Sequence, residues 1–256
     1  MSEQLVRTEF DGGIYTVTLN RPAKRNAVSD RLLVALDEAI SATPEGTRVI
    51  VLTGEGQHFC AGLDLAEHQH REPFGVMQHS QSWHRIFHRI QHGGIPVIAA
   101  LHGAVIGGGL ELAAATHIRV AEPSTIYQLP EGRHGIFVGG GASVRVAKLI
   151  GPGRMCEMML TGRILDADEG QRLGLSHYLV EAGAATAKAR ELAQRVAENA
   201  PMANWAMCSA IARIDNMASD DGLFVESLTA ALTQTSPEVA ERIGEFLKRK
   251  GQGPRT

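Results

Sequence analysis

Residues 104–115 read AVIGGGLELAAA, and this stretch restricts the chain more than any other. An apolar run enters three consecutive glycines, Gly107, Gly108 and Gly109, and continues into a helix-forming segment that carries Glu111. Glycine costs a helix roughly 1 kcal/mol per residue against alanine. A carboxylate between Leu110, Leu112 and Ala113 costs more unless something pairs with it. Strand, glycine cluster, helix is a layout that aims backbone N–H groups at a negative ligand atom. The dinucleotide fingerprint G-x-G-x-x-G nevertheless fails, because Leu112 stands where the third glycine belongs, and GGGASV (139–144) fails likewise at Val144. Neither segment is a P-loop, and the chain has no G-x-S-x-G elbow and no H-E-x-x-H.

Another use of the glycines remains. Missing side chains let a substrate approach the backbone closely, and an N–H at a helix start stabilises an oxyanion developing on a carbonyl. Glu111 is drawn two ways, since the helix dipole favours its carboxylate and its apolar neighbours disfavour it. Such a group suits general acid or base work. The same residues also fit a structural role, an acidic first-turn residue paired elsewhere beside glycines that allow tight packing. QLPEG (128–132) supplies a second carboxylate, Glu131, in a loop between an expected strand and an expected helix. Alone it reads as an exposed loop glutamate. With Glu111 it makes the two acid/base groups that water addition to a double bond needs. FCAGLD (59–64) is a second glycine turn after a buried strand, either a second backbone donor or an ordinary loop with Cys60 buried.

Around these motifs strands alternate with helices. GIYTVTLN alternates as a half-buried strand, and RVIVLTG and PVIAALHG read as short buried strands. Ser29 caps a helix whose stripe is Leu32, Leu33, Leu36, Ala39 and Ile40, and Trp83, Ile86, Phe87 and Ile90 fall at helical spacing. IRVAEPSTIYQLPEG reads as two strands around a turn at Pro123, two glycine-ended helices follow, and SHYLV is a late strand. From Ala184 the pattern is helical, with breaks near Pro201, Gly222 and Pro237. An α/β core with a helical C-terminal part follows.

Net charge is −3, which gives no basic field for nucleic acid. No run of about 18 apolar residues predicts a membrane span, and MSEQLVRTEFDGG has no signal-peptide h-region. Cys60, Cys156 and Cys208 form neither a disulfide framework nor a metal pair, as expected of a reduced cytoplasmic protein. His84, His88 and His92 share one helix face, but no carboxylate completes a metal set, so a solvated polar face and no metal are expected. His134 reads as a surface residue, and Lys24, Arg25 and FLKRK (246–250) as solvated cations that could also meet phosphate groups.

In order and spacing, LNRPAKRNAVS, FCAGLDL, PVIAALHGAVIGGGLELAAA, LPEG and MMLTGRILDADEGQRLGL resemble the crotonase, or enoyl-CoA hydratase/isomerase, superfamily across nearly the whole chain. The resemblance implies an α/β spiral of ββα units over residues 1–195 and a helical C-terminal trimerisation region over 196–256. It implies a homotrimer or a hexamer built as a dimer of trimers. It places an oxyanion hole at the N–H groups of Leu63 and Gly108 and catalytic carboxylates at Glu111 and Glu131. Substrate would be bound along Ala61, Gly62, Asp64, Gly107, Gly139 and Trp83, with Trp83 or Phe87 limiting chain length unless both simply pack the core. Coenzyme A enters as part of an acyl-CoA substrate, and no separate cofactor is implied. Both carboxylates together favour a hydratase. The alternatives are an isomerase of the same fold, which needs one carboxylate, and a non-catalytic CoA- or RNA-binding homologue. Thr116-His117 stands where the family commonly has Cys-Asp, and Val138-Gly139 where Pro-Gly is frequent. With HSQSWHRIF, the segment LPEGRHGIFVGGGASVRV looks most like methylthioacryloyl-CoA hydratases.

Overall fold

The computed structural model describes residues 4–66 and 72–251. Its first strands, β1 (Val6–Asp11) and β2 (Ile14–Leu19), form a hairpin in register Val6↔Leu19 to Asp11↔Ile14. Gly12 and Gly13 close it with φ of +55° and +82°, the two positive values that a type I′ turn requires. β3 (Val49–Gly54), β4 (Val97–Leu101), β6 (Ile118–Ala121) and β8 (Tyr178–Leu179) add in parallel, giving the order β1-β2-β3-β4-β6-β8. A second sheet pairs β5 (Ala104–Ile106) with β7 (Ile126–Gln128) in parallel. Single bridges extend that layer, Cys60 to Val105, Val28 to Leu63 and Tyr127 to Leu165.

The spiral expected from the family resemblance follows from this pairing. The first turn gives the large sheet the β1–β2 hairpin and each later one a single strand, followed by a strand or bridge in the small layer and then a helix. The helices are α1 (Asp30–Ser41), α2 (Pro73–His92), α3 (Gly108–Ala114) and α4 (Ala142–Ile150). α5 (Pro152–Thr161) and α6 (Ala167–Arg172) complete the region before β8. Ser29 Oγ accepts the Leu32 N–H at 3.2 Å, the cap expected from sequence. β3 and β4 are buried on both faces, which is why they read as unbroken apolar runs. One face, with Leu52, Ala99 and Leu101, packs on Leu32, Leu36 and Leu112. The other, with Val49, Val51, Ile98 and Ala100, packs on α7 (Ala185–Ala197) through Ala185, Ala189, Leu192 and Ala193.

α8 (Pro201–Ile214), α9 (Ser219–Gln234) and α10 (Pro237–Gly251) follow. Pro201 and Pro237 open their helices, where a missing N–H costs nothing. Gly222 does not break the chain: it sits in the first turn of α9, and the interruption falls at residues 215–218. IRVAEPSTIYQLPEG forms the two strands expected around a turn at Pro123, β6 and β7, which belong to different sheets. β1 and β5 were not expected; β1 is exposed along most of its length, and β5 is only three residues long. No described helix is long and apolar enough to cross a membrane.

The LNRPAKRNAVS segment anchors the layer that carries the site. Asn26 is fully buried, with φ +56°. Its Nδ2 donates to the carbonyls of Glu55 (3.0 Å) and His58 (2.6 Å), and its Oδ1 accepts the Arg21 N–H (2.8 Å). Asn26→Ala leaves those buried groups unmatched in a left-handed conformation that alanine tolerates poorly. It should destabilise the fold by about 2–4 kcal/mol, read as a lower urea midpoint with unchanged slope.

Candidate active site

Three segments press on the start of α3. A Cβ on Gly107, which has φ +51° and ψ −121°, would lie 2.9 Å from Glu131 Oε1. One on Gly108 would lie 2.6 Å from the Trp83 ring, and one on Gly109 would collide with the Cys60 carbonyl oxygen. Each glycine therefore admits a different neighbour, namely the 131–134 turn, α2 and the loop after β3.

That loop is held by backbone bonds. Ala61 N–H donates to Arg25 O (3.0 Å), Val28 N–H to Gly62 O (2.7 Å) and Asp64 N–H to Val28 O (3.0 Å). The Leu63 N–H is left over, as is that of Gly108 at the helix start; neither has an acceptor among the described residues. Gly62, at φ +87°, lies beside them, and a Cβ there would sit 3.1 Å from the Gly108 nitrogen.

A cavity of about 200 Å³ collects the predicted site. Ala61, Gly62, Leu63, Trp83, Gly107, Gly108, Glu111, Glu131 and Gly139 all line it. Asp64, predicted to touch substrate, does not: it is buried and ion-paired with Arg21 at 3.1 Å, and its Oδ1 accepts the Ala66 N–H. Its role is to fix the loop. Trp83 packs edge-on to Phe87 (centroids 5.5 Å apart) and also lines the cavity. Phe87 stays behind it in the core. His134 is exposed, yet it reaches the cavity rim.

Glu111 is 4% exposed. Its Oε1 accepts the N–H groups of Gly140 (2.8 Å) and Ala142 (3.0 Å). Burial still outweighs these bonds and the Arg145 charge, so its pKa lies above the ordinary carboxylate value. Glu131 is 7% exposed, and its Oε2 has no hydrogen-bond partner among the described residues. Burial first, and the neighbouring Glu111 charge after the opposing pull of its own backbone N–H, push it up to about 7. Two carboxyls with raised pKa values in one cavity can hold a water between them, one as carboxylate and one as acid.

Sequence reasoning missed the residues behind this surface. Ser80 Oγ donates to Gly139 O at 2.6 Å and ties the glycine-rich turn to α2. His79 Nε2 lies 3.2 Å from Trp83 Nε1 and 3.0 Å from Asp30 Oδ1. The spacing of both with Trp83 on one helix was the available signal. His117, a departure from the family pattern, is a staple: Nδ1 accepts the Val97 N–H and Nε2 faces Gln91 O, each at 3.0 Å. A larger cavity of about 860 Å³ lies beyond Arg145 and is lined by His84, His88, His92, His117 and His177, but it reaches neither glutamate. No group of three or more potential metal ligands occurs among the described residues. Lys24 and Arg25 are exposed; in the FLKRK stretch, the Phe246, Arg249 and Lys250 side chains lie outside the described residues.

The sequence matches the enoyl-CoA hydratase/isomerase family over residues 9–251, and the chain belongs to that family. It is 30% identical to a short-chain-enoyl-CoA hydratase of Clostridium acetobutylicum, covering 96% of this chain and 95% of that one. It is 30% identical to a 2,3-dehydroadipyl-CoA hydratase of Escherichia coli, covering 98% and 97%. A crystal structure from Rhodopseudomonas palustris, provisionally designated an enoyl-CoA hydratase, is 51% identical over 96% of both chains and superposes with a TM-score of 0.94.

The raised Glu131 pKa has a stability consequence. Below pH 4.5 the group is protonated whether folded or not. Between pH 4.5 and about 7 the unfolded chain releases the proton while the folded chain keeps it, so stability falls as pH rises. Glu131→Gln removes that loss. Relative to wild type, its unfolding free energy should gain up to about 3 kcal/mol between pH 4.5 and pH 8, measured by urea denaturation at both.

Proposed function

We propose that this chain is an enoyl-CoA hydratase, a hydro-lyase that adds water across the conjugated double bond of a short-chain 2-enoyl-CoA. The observation that carries the reading is the convergence of two buried carboxyls and two unsatisfied N–H groups on one cavity. The hydratase names of relatives that match over most of their length support it.

In this reading the thioester carbonyl oxygen sits between the N–H groups of Leu63 and Gly108, which polarise it and leave C3 electrophilic. Water held by Glu111 and Glu131 attacks C3. Glu111 takes its proton, and the electron pair of the double bond moves onto the thioester oxygen as an enolate, where the two N–H groups stabilise it. Collapse of the enolate takes a proton from Glu131 at C2 and yields the 3-hydroxyacyl thioester. Losing one such backbone donor typically costs about 100- to 1,000-fold in rate. The glutamates titrate as a coupled pair, so the acid and base roles belong to the pair.

The narrower substrate in this proposal is a 3-methylthioacryloyl-CoA. The sequence resemblance motivates it, and the cavity supports it physically. About 200 Å³ suits a short acyl group, and the Trp83 indole forms one wall. A thioether against an aromatic ring gains about 0.3–1.5 kcal/mol. The homotrimer or hexamer and the cytoplasmic location belong to the same proposal. The exposed Trp205, Met207, Ile211, Leu223, Phe224 and Leu228 of α8 and α9 suit burial between subunits.

Loss of the conjugated enoyl-thioester absorbance tests this. Crotonyl-CoA and methylthioacryloyl-CoA should both be hydrated, and Glu111→Gln and Glu131→Gln should each lower kcat by about 100-fold or more. A higher kcat/KM for the thioether substrate supports the narrower assignment; a tenfold preference for crotonyl-CoA removes it. No hydration by the wild type, with double-bond migration instead, would make the protein an isomerase. Since Glu131 must be protonated to donate, hydration should fall as pH rises through about 7, with a one-proton slope on the alkaline side.

A further inference from the structure

Arg145 lies outside the cavity, and the chemistry above does not use it. It sits behind Glu111, on the first turns of α4, at the wall of the larger cavity. Its Nη1 donates to the Gly140 carbonyl (3.2 Å) and its Nε to Gln91 Oε1 (2.7 Å). The N–H groups of Gly140 and Ala142 both donate to Glu111 Oε1. The peptide unit gripped by Arg145 therefore lies between the two peptide units that hold the carboxylate.

That turn needs an external grip. Residues 139–141 are all glycine, Gly141 has φ +106°, and a chain without side chains has little stiffness of its own. A planar guanidinium that binds two acceptors in a fixed geometry supplies the stiffness. Its second acceptor, Gln91, belongs to α2, the helix that also presents Trp83 and Ser80. His117 in turn holds the Gln91 carbonyl.

We propose that Arg145 is a positioning residue for Glu111. It fixes the 139–142 turn so that two N–H groups stay aimed at the carboxylate, and it adds a positive charge behind them. The charge favours ionised Glu111, and Glu111 favours charged Arg145. The other titratable and charged groups around the pair include Glu131 from the 131–134 turn, His84, His88 and His92 from α2, His117 ahead of β6, Arg119 on β6, His177 ahead of β8, Arg213 on α8, Asp215 after it and Lys148 one turn along α4. Among the described residues none of these donates a hydrogen bond to the Glu111 carboxylate, which accepts from the turn.

Three variants of the full chain separate positioning from packing. Arg145→Gln removes the charge, Arg145→Lys keeps it without the fork, and Gln91→Leu frees the Nε end. The first readout is the titration midpoint of the Glu111 carboxyl carbon by NMR on glutamate-labelled protein, assigned with Glu111→Gln. Arg145→Gln should raise the midpoint by about half a pH unit or more, and Arg145→Lys by less. Gln91→Leu should leave it in place. The second readout is crotonyl-CoA kinetics, which rests on the hydratase proposal. Arg145→Gln should lower kcat about tenfold or more with KM nearly unchanged, and Gln91→Leu should lower kcat several-fold. An unmoved midpoint in Arg145→Gln overturns the inference whatever happens to kcat. If that variant does not fold, wild-type kcat in both Arg145→Lys and Gln91→Leu overturns it. If the wild type does not hydrate crotonyl-CoA, the hydratase reading fails, and the midpoint still decides the role of Arg145.

Discussion

A methyl group at residue 108 or 109 would collide with the Trp83 ring or the Cys60 carbonyl, and one at 107 would crowd the Glu131 carboxyl at a positive φ. Everything distinctive about the molecule depends on that constraint. It brings the Cys60 carbonyl, the Trp83 ring and the Glu131 carboxyl to van der Waals distance of one short helix start. The three neighbours come from separate segments of the chain, and each contact fixes one of them against α3. Helix propensity is sacrificed at three consecutive positions, a local cost that tertiary packing outweighs.

The electrostatics of the cavity have the same character. Glu111 receives two N–H groups and a nearby guanidinium, and burial still raises its pKa. Glu131 receives less, and burial pushes it up to about 7. Two like-charged groups in one desolvated space destabilise the folded chain wherever both would ionise. A core selected only for stability would replace at least one of them. Their retention fits acid–base chemistry, because protonation near neutrality is what lets one of the pair give up a proton.

Much of this was legible in the sequence, because the relevant signals are local. Buried strands read as apolar runs, Ser29 read as a cap, and the Trp83–Ile90 stripe read as a helix face. The glycine cluster and both glutamates were visible as oddities, and the family resemblance joined them in a single site. What stayed hidden was long-range or short. β5 is three residues long, and its partners are far along the chain. β1 is mostly exposed and carries no burial alternation. The family resemblance put Asp64 among the substrate residues, and no spacing in the chain announced its ion pair with Arg21. Arg145 and Ser80 act through backbone carbonyls of the glycine turn and Gln91 through the Arg145 side chain, and no spacing in the chain announces that. The break expected near Gly222 falls at residues 215–218, and the glycine itself sits in the first turn of α9.

The small layer is sewn together by parallel pairings between successive turns, Val28 with Leu63, Cys60 with Val105, and Ala104 with Ile126. Parallel neighbours of this kind meet only after the chain between them has folded. Half of the cavity, from Leu63 to Gly108, therefore has no existence in any fragment that stops before β5. A nascent or partly opened chain exposes at most an unmatched edge, never a weak version of the pocket. Chemistry and structural completeness thus arrive together, and turnover itself becomes a proofreading signal that the spiral has closed in the right register.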